Sequence, residues 1–186
     1  MRVTLVRHAE VIEEYIGRYN GHLDIPLSVN GKSQAKELAL KLKSRKFDKI
    51  YCSDLIRAKE TLAQFEYKVR PIFSEELREK SWGEHEGKSF EEIEKEGILY
   101  ENFEQWIDAL GGEDVESYIT RVKKYFYETI FNEEASEILV VTHSGVIKTL
   151  ISIVDNISLE KAFCTTLPYS ASITLKVSPS KIVKIV

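Results

Sequence analysis

The sequence predicts an α/β fold on a largely parallel sheet with one antiparallel edge. Three observations carry this expectation. Short apolar or β-branched segments alternate with amphipathic helical ones, the last two strand-like segments follow each other directly, and no repeat, low-complexity tract or Gly/Ser linker divides the 186 residues. One domain over residues 1–186 is expected.

Residues 2–7 (RVTLVR), 48–52 (DKIYC), 69–73 (VRPIF) and 137–142 (EILVVT) have the composition of strands. Between the first two, GKSQAKELALKLKSRKF places Ala35, Leu38 and Leu42 on one face with lysines opposite, so a helix packs there on the sheet. Helical character returns at 54–66, about 89–109, 114–132 and 145–155. The terminal SASITLKVSPSKIVKIV reads as two strands joined at Ser178-Pro179-Ser180, a turn-forming triplet.

An apolar content of 43% supports a real core. The net charge of -4 and pI near 5.7 argue against binding to nucleic acid or an anionic membrane, which favours basic chains. Cys52 and Cys164 lack the spacing of a disulfide framework or a zinc site and read as reduced thiols of a cytoplasmic protein. Arg7 and His8 cut the N-terminal apolar run short, so no signal peptide is read there. No uncharged stretch approaches the ~18 to 20 residues of a membrane helix. Residues 75–116 hold 15 of the 30 acidic residues against four basic ones, a solvated helical face or a lid that would disfavour large polyanions.

In an open α/β sheet, ligands sit beyond the carboxyl ends of the strands. Arg7, His8 and Glu10 follow the first strand; Ser53, Asp54 and Arg57 the second; Arg78 and Glu79 the third; Thr142, His143, Ser144 and Gly145 the fourth. Singly, each has an ordinary explanation: a hydrogen-bonded structural histidine, an ion pair on a helix, an exposed carboxylate. Together they converge on one edge, whereas His22 and His85 lie in Gly-flanked loops and read as incidental, with His85 at most rimming a pocket. Glu10 reads as a brace for neighbouring loops.

Arginine forks pair bidentately with phosphate oxygens and compensate charge as a phosphoryl group transfers. A neutral imidazole is a competent nucleophile near pH 7. A second, cationic imidazole and N–H groups at a helix start can hold the oxygens, and a carboxylic acid can protonate the leaving oxygen. No Walker loop or Gly-x-Gly-x-x-Gly is present, so nucleotide-fold readings lose.

The blocks LVRHAE, RYNGHLDIPLSVNGKSQA, CSDLIRAKET, LREKSWGEHEG and VVTHSGVIKTL, in this order across nearly the whole chain, resemble the histidine phosphatase (phosphoglycerate mutase-like) superfamily. The resemblance implies a three-layer α/β/α sandwich with a mostly parallel mixed sheet, phosphoglycerate mutase-like. It also implies a phosphohistidine mechanism with no metal or other cofactor. Carried over, His8 is the nucleophile and Arg7 and Arg57 bind phosphate. His143 stabilises the transferring group, and Glu79 is the general acid and later the base that activates water. Asn20 and Gly21 fall where the family's second loop touches phosphate, Ser144 supplies a backbone N–H, and Gly145 opens the following helix.

Ala9 and Ser144 stand where the family more commonly has glycine, and Glu14 where phosphoglycerate mutases have a phosphate-contacting Asn. That last difference and the short chain point toward the small phosphatases, including the α-ribazole-5′-phosphate phosphatases of cobalamin synthesis. The implied partner is a small phosphorylated metabolite, with α-ribazole 5′-phosphate one candidate. The alternative is a phosphoglycerate-type phosphomutase. A metal hydrolase built on His8, His143 and carboxylates finds no His-x-x-x-His or His-x-His spacing. A phosphate-binding module without turnover has no need of all five reactive positions.

Overall fold

Alternate residues of the first strand, β1 (Arg2–Arg7), enter two different cores: Val3 and Leu5 one, Val6 the other. A strand buried on both faces needs helices on both sides. The protein, seen in a computed structural model that describes residues 1–179 and 181–185, supplies them. On one face, α1 (Val29–Leu42) and α2 (Ile56–Leu62) contribute Leu38, Ala58 and Leu62 to a core with Val6. On the other, α5 (Val115–Glu128) and α6 (Ser144–Asp155) contribute Val122, Phe126, Ile147 and Leu150 to a core with Val3 and Leu5. Each such fully buried aliphatic side chain contributes about 1.5 to 3 kcal/mol. This is the expected three-layer α/β/α sandwich.

The sheet has six strands in the order β3-β2-β4-β1-β5-β6, where β2 is Lys49–Ser53, β3 Ile72–Ser74, β4 Glu137–Thr142, β5 Ser172–Ser178 and β6 Lys181–Ile185. The first four run parallel, β5 lies antiparallel to β1, and β6 antiparallel to β5. The register pairs Arg7 with Thr142 and Ser53 with Ser74, so these strands end level with one another. Because β5 runs the opposite way, with Ser172 opposite Val6, the loop entering it lies at that same edge.

The third strand is Ile72–Ser74 instead of 69–73, because Pro71 has no N–H to give a ladder and the edge strand starts after it. The helix expected over 89–109 is two: α3 (Phe90–Glu94), with a Ser89 capping box, and α4 (Phe103–Ala109), capped by Asn102. Gly97, at φ +71°, lies in the break between them. A short helix, α7 (Leu159–Phe163), was not expected; Ser158 caps it. Trp82, Ile93, Trp106, Ile107, Leu110 and Leu159 make a separate apolar cluster, so the acidic 75–116 region has its own small core. Ser178 and Lys181 pair across the expected terminal turn, while Ser180 lies outside the described residues. No helix among the described residues is long and apolar enough to cross a membrane.

Candidate active site

The level strand ends bring the predicted groups together. Arg7, Asn20, Gly21, Arg57, Glu79 and Ser144 line one cleft of about 180 Å³, and His8 and His143 lie buried beside it. A larger hollow of about 790 Å³, between Phe131, Val154 and the β5–β6 hairpin, holds none of these groups.

His8 follows β1, and its Nδ1 lies 2.7 Å from the Ala9 carbonyl oxygen. A carbonyl only accepts, so the ring proton sits on Nδ1 and Nε2 keeps its lone pair. Burial, then the Arg57 and Arg7 guanidiniums, pushes the imidazole well below its ordinary pKa. A neutral ring with its lone pair on Nε2 has the form a nucleophilic imidazole requires. Its ring centroid is 5.1 Å from that of His143.

His143 caps the start of α6 and is fully buried, with Nε2 2.8 Å from Ser53 Oγ. With the Ser53 hydroxyl donating to Nε2, the ring proton sits on Nδ1, an atom without a partner among the described residues. The cationic form expected of His143 is disfavoured here. Burial, then Arg57, His8, His22 and Arg7, lowers its pKa well below the ordinary value. In that tautomer a neutral Nδ1–H is left free to donate to an oxyanion.

The guanidiniums are held by backbone carbonyls. Arg57, 1% exposed, donates from Nη1 to Leu23 O and from Nη2 to Gly21 O, both at 2.6 Å. Burial lowers its pKa to about 10, which leaves it charged at neutral pH. Arg7 donates from Nη1 to Leu167 O and lies 4.0 Å over the Tyr169 ring. Its Nε is buried with no partner among the described residues, a donor free to meet an oxyanion. Arg78 leaves the predicted cluster, because it forks onto both carboxylate oxygens of Asp54.

Glu79 accepts from Gly145 N at 2.9 Å, from Tyr118 Oη at 3.1 Å and from Lys80 N at 3.2 Å. The N–H at the start of α6 thus holds the Glu79 carboxylate in place. A Cβ at Gly145 would lie 2.1 Å from Glu79 Oε1, so a larger residue there would push the carboxylate out of this position. Gly21 is equally constrained, at φ +46° with a would-be Cβ 2.3 Å from Glu86 Oε1. Asn20 donates from Nδ2 to Tyr15 O at 2.8 Å, and its buried Oδ1 has no partner among the described residues.

The two loop histidines fare differently in the structure. His22 is not incidental: its Nε2 donates to the Glu79 carbonyl at 2.9 Å and helps fix that residue. His85 does not rim the cleft, since it is buried between Leu110 O and Glu96 Oε2. Glu10 does brace loops, accepting from Ser28 Oγ and Asn30 Nδ2. Sequence reasoning missed Tyr169, Trp82 and Tyr19 in the cleft wall and Tyr118 behind Glu79. Among the described residues, no group of three or more His, Cys, Asp or Glu is placed to hold a metal.

A neutral imidazole beside two desolvated guanidiniums and a carboxylate is the equipment of a phosphoryl-transfer enzyme. Comparison with known proteins narrows the class. The chain matches the histidine phosphatase superfamily (branch 1) over residues 3–183. It is 31% identical to the adenosylcobalamin/alpha-ribazole phosphatase of Escherichia coli over 82% of this chain and 78% of that protein. It is also 31% identical to phosphoserine phosphatase 1 of Hydrogenobacter thermophilus, over 91% and 85% of the two chains. The solved alpha-ribazole phosphatase of Shigella flexneri superposes with a TM-score of 0.86 at 25% identity, covering 100% of this chain and 95% of that one. The fold is the phosphoglycerate mutase-like one. This chain belongs to the histidine phosphatase superfamily, and it is a hydrolytic phosphatase of that superfamily.

Proposed function

We propose that residues 1–186 form one histidine phosphatase domain that hydrolyses a small phosphorylated metabolite through a phosphohistidine on His8, with no metal or other cofactor. The observation that carries this reading is the His8 Nδ1–Ala9 carbonyl bond, which leaves Nε2 unprotonated between Arg7 and Arg57. In the first step Nε2 attacks phosphorus, the P–O bond to the leaving group breaks, and Glu79 gives its proton to the departing oxygen. Arg7, Arg57, His143 Nδ1–H and the Ser144 N–H hold the phosphoryl oxygens, with Asn20 and Gly21 closing the loop above them. In the second step Glu79 takes a proton from water as its oxygen attacks phosphorus, and the P–N bond to His8 breaks. Inorganic phosphate leaves and His8 is regenerated.

α-Ribazole 5′-phosphate is the favoured substrate, since relatives named for it match most of this chain. The cleft of about 180 Å³ and the acidic residues of 75–116 favour one small phosphate monoester over a large polyanion. The cytoplasm is the proposed location, supported by the free thiols of Cys52 and Cys164.

Phosphate release from α-ribazole 5′-phosphate, phosphoserine and 3-phosphoglycerate in excess EDTA tests the reading. Turnover unaffected by the chelator, with the highest kcat/KM for α-ribazole 5′-phosphate, is expected. Isomerisation of phosphoglycerate without phosphate release would replace it by the mutase. Loss of activity to EDTA with recovery on added zinc would replace it by a metal hydrolase.

A further inference from the structure

Two hydrogen bonds lead from the His8 ring, through Ala9, to a side chain with no assigned role, and a third leads on from it. The ring donates from Nδ1 to the Ala9 carbonyl at 2.7 Å. The Ala9 N–H, on the other side of the same Cα, donates to Thr61 Oγ1 at 2.9 Å. The Thr61 hydroxyl in turn donates to the Arg57 carbonyl at 2.7 Å. Thr61 and Ala9 are fully buried, so no water can stand in for either bond.

The geometry points to Thr61 as a positioning residue that holds the nucleophile in register with the phosphate-binding arginine. The inference rests on His8 being the nucleophile. One hydroxyl, with one proton and accepting lone pairs, uses its proton on the backbone of Arg57 and a lone pair on the residue next to His8. The turn after β1 and the first turns of α2 thereby meet at a single oxygen, one helical turn from the Arg57 backbone. The neighbouring peptide, which carries the Ala9 carbonyl, is pinned separately where Glu10 N donates to Gln34 Oε1 at 3.2 Å. Gln34 therefore aims the carbonyl, while Thr61 fixes the turn from which it projects.

Thr61→Val keeps the shape and removes both bonds, leaving the Ala9 N–H buried and unpaired. The turn must then shift to find a partner. A misplacement of about 1 Å between reacting groups costs roughly a hundred-fold in rate. Serine keeps the hydroxyl and should restore most of the rate.

Single-turnover phosphorylation of His8, KM and the ¹⁵N signals of the His8 ring test this in the wild type, Thr61→Val and Thr61→Ser. In Thr61→Val the phosphorylation rate should fall roughly a hundred-fold with KM little changed. The Nδ1–H signature of the wild-type ring should give way to a mixture of tautomers. Thermal melting checks folding, and Thr61→Ala carries the same test if the valine variant does not fold. Wild-type phosphorylation in the variant, an unchanged His8 tautomer, or equal impairment of the serine variant would overturn the role of Thr61. A wild-type label on a residue other than His8 would instead overturn the nucleophile on which it rests.

Discussion

Replacing Arg57 by alanine is expected to remove about 2 to 4 kcal/mol of transition-state stabilisation, by comparison with deleting one oxyanion-hole donor. The guanidinium is buried and charged, and its two carbonyl contacts fix the plane of the fork. Its remaining N–H groups can meet phosphoryl oxygens without reorganising. These contacts strengthen as charge spreads over the transferring group, so the loss should fall on the chemical step as well as on KM. Arg57→Lys should stay impaired, because an ammonium supplies charge without the planar fork that both Gly21 O and Leu23 O recognise. Single-turnover phosphorylation measures this directly. A near-normal rate in Arg57→Ala would reduce the residue to a loop brace.

Glu79→Gln should slow phosphorylation of His8 by roughly a hundred- to ten-thousand-fold with alkyl phosphates and only mildly with nitrophenyl phosphate. An alkoxide is strongly basic and leaves only with a proton, whereas nitrophenolate leaves readily without one. The carboxylate is anchored by Gly145 N, Tyr118 and Lys80 N, so in the proposed role it would act from a fixed position. Steady-state rates would mix this step with water activation by the same residue, so the first half-reaction must be followed alone. Equal slowing for both leaving groups would leave Glu79 a positioning residue.

The parallel half of the molecule was legible because its signals are local. A strand buried on both faces reads as an apolar run, and whatever follows it lies at the ligand edge; this located Arg7, His8, Arg57, Glu79 and His143. The rule has a blind side. Tyr169 precedes its strand, and only the antiparallel direction of β5 brings it over Arg7. Tyr118 sits within α5, and its contact with Glu79 depends on how that helix packs, which no local pattern encodes. Arg78 carried the right charge in the right place, but Asp54 is its partner through a fork that only the folded chain forms. The continuous helix expected over about 89–109 breaks at Gly97, whose positive φ a helix cannot hold.

The central claim is that the phosphoryl group passes through Nε2 of His8. Mixing the protein with ³²P-labelled substrate, quenching within milliseconds under non-acidic conditions and mapping the label tests it most directly. An acid-labile, base-stable phosphoprotein labelled at residue 8 is expected, formed before phosphate appears and absent from His8→Ala. Label retained in His8→Ala, label on another residue, or phosphate release from the wild type with no labelled protein at any time would contradict it.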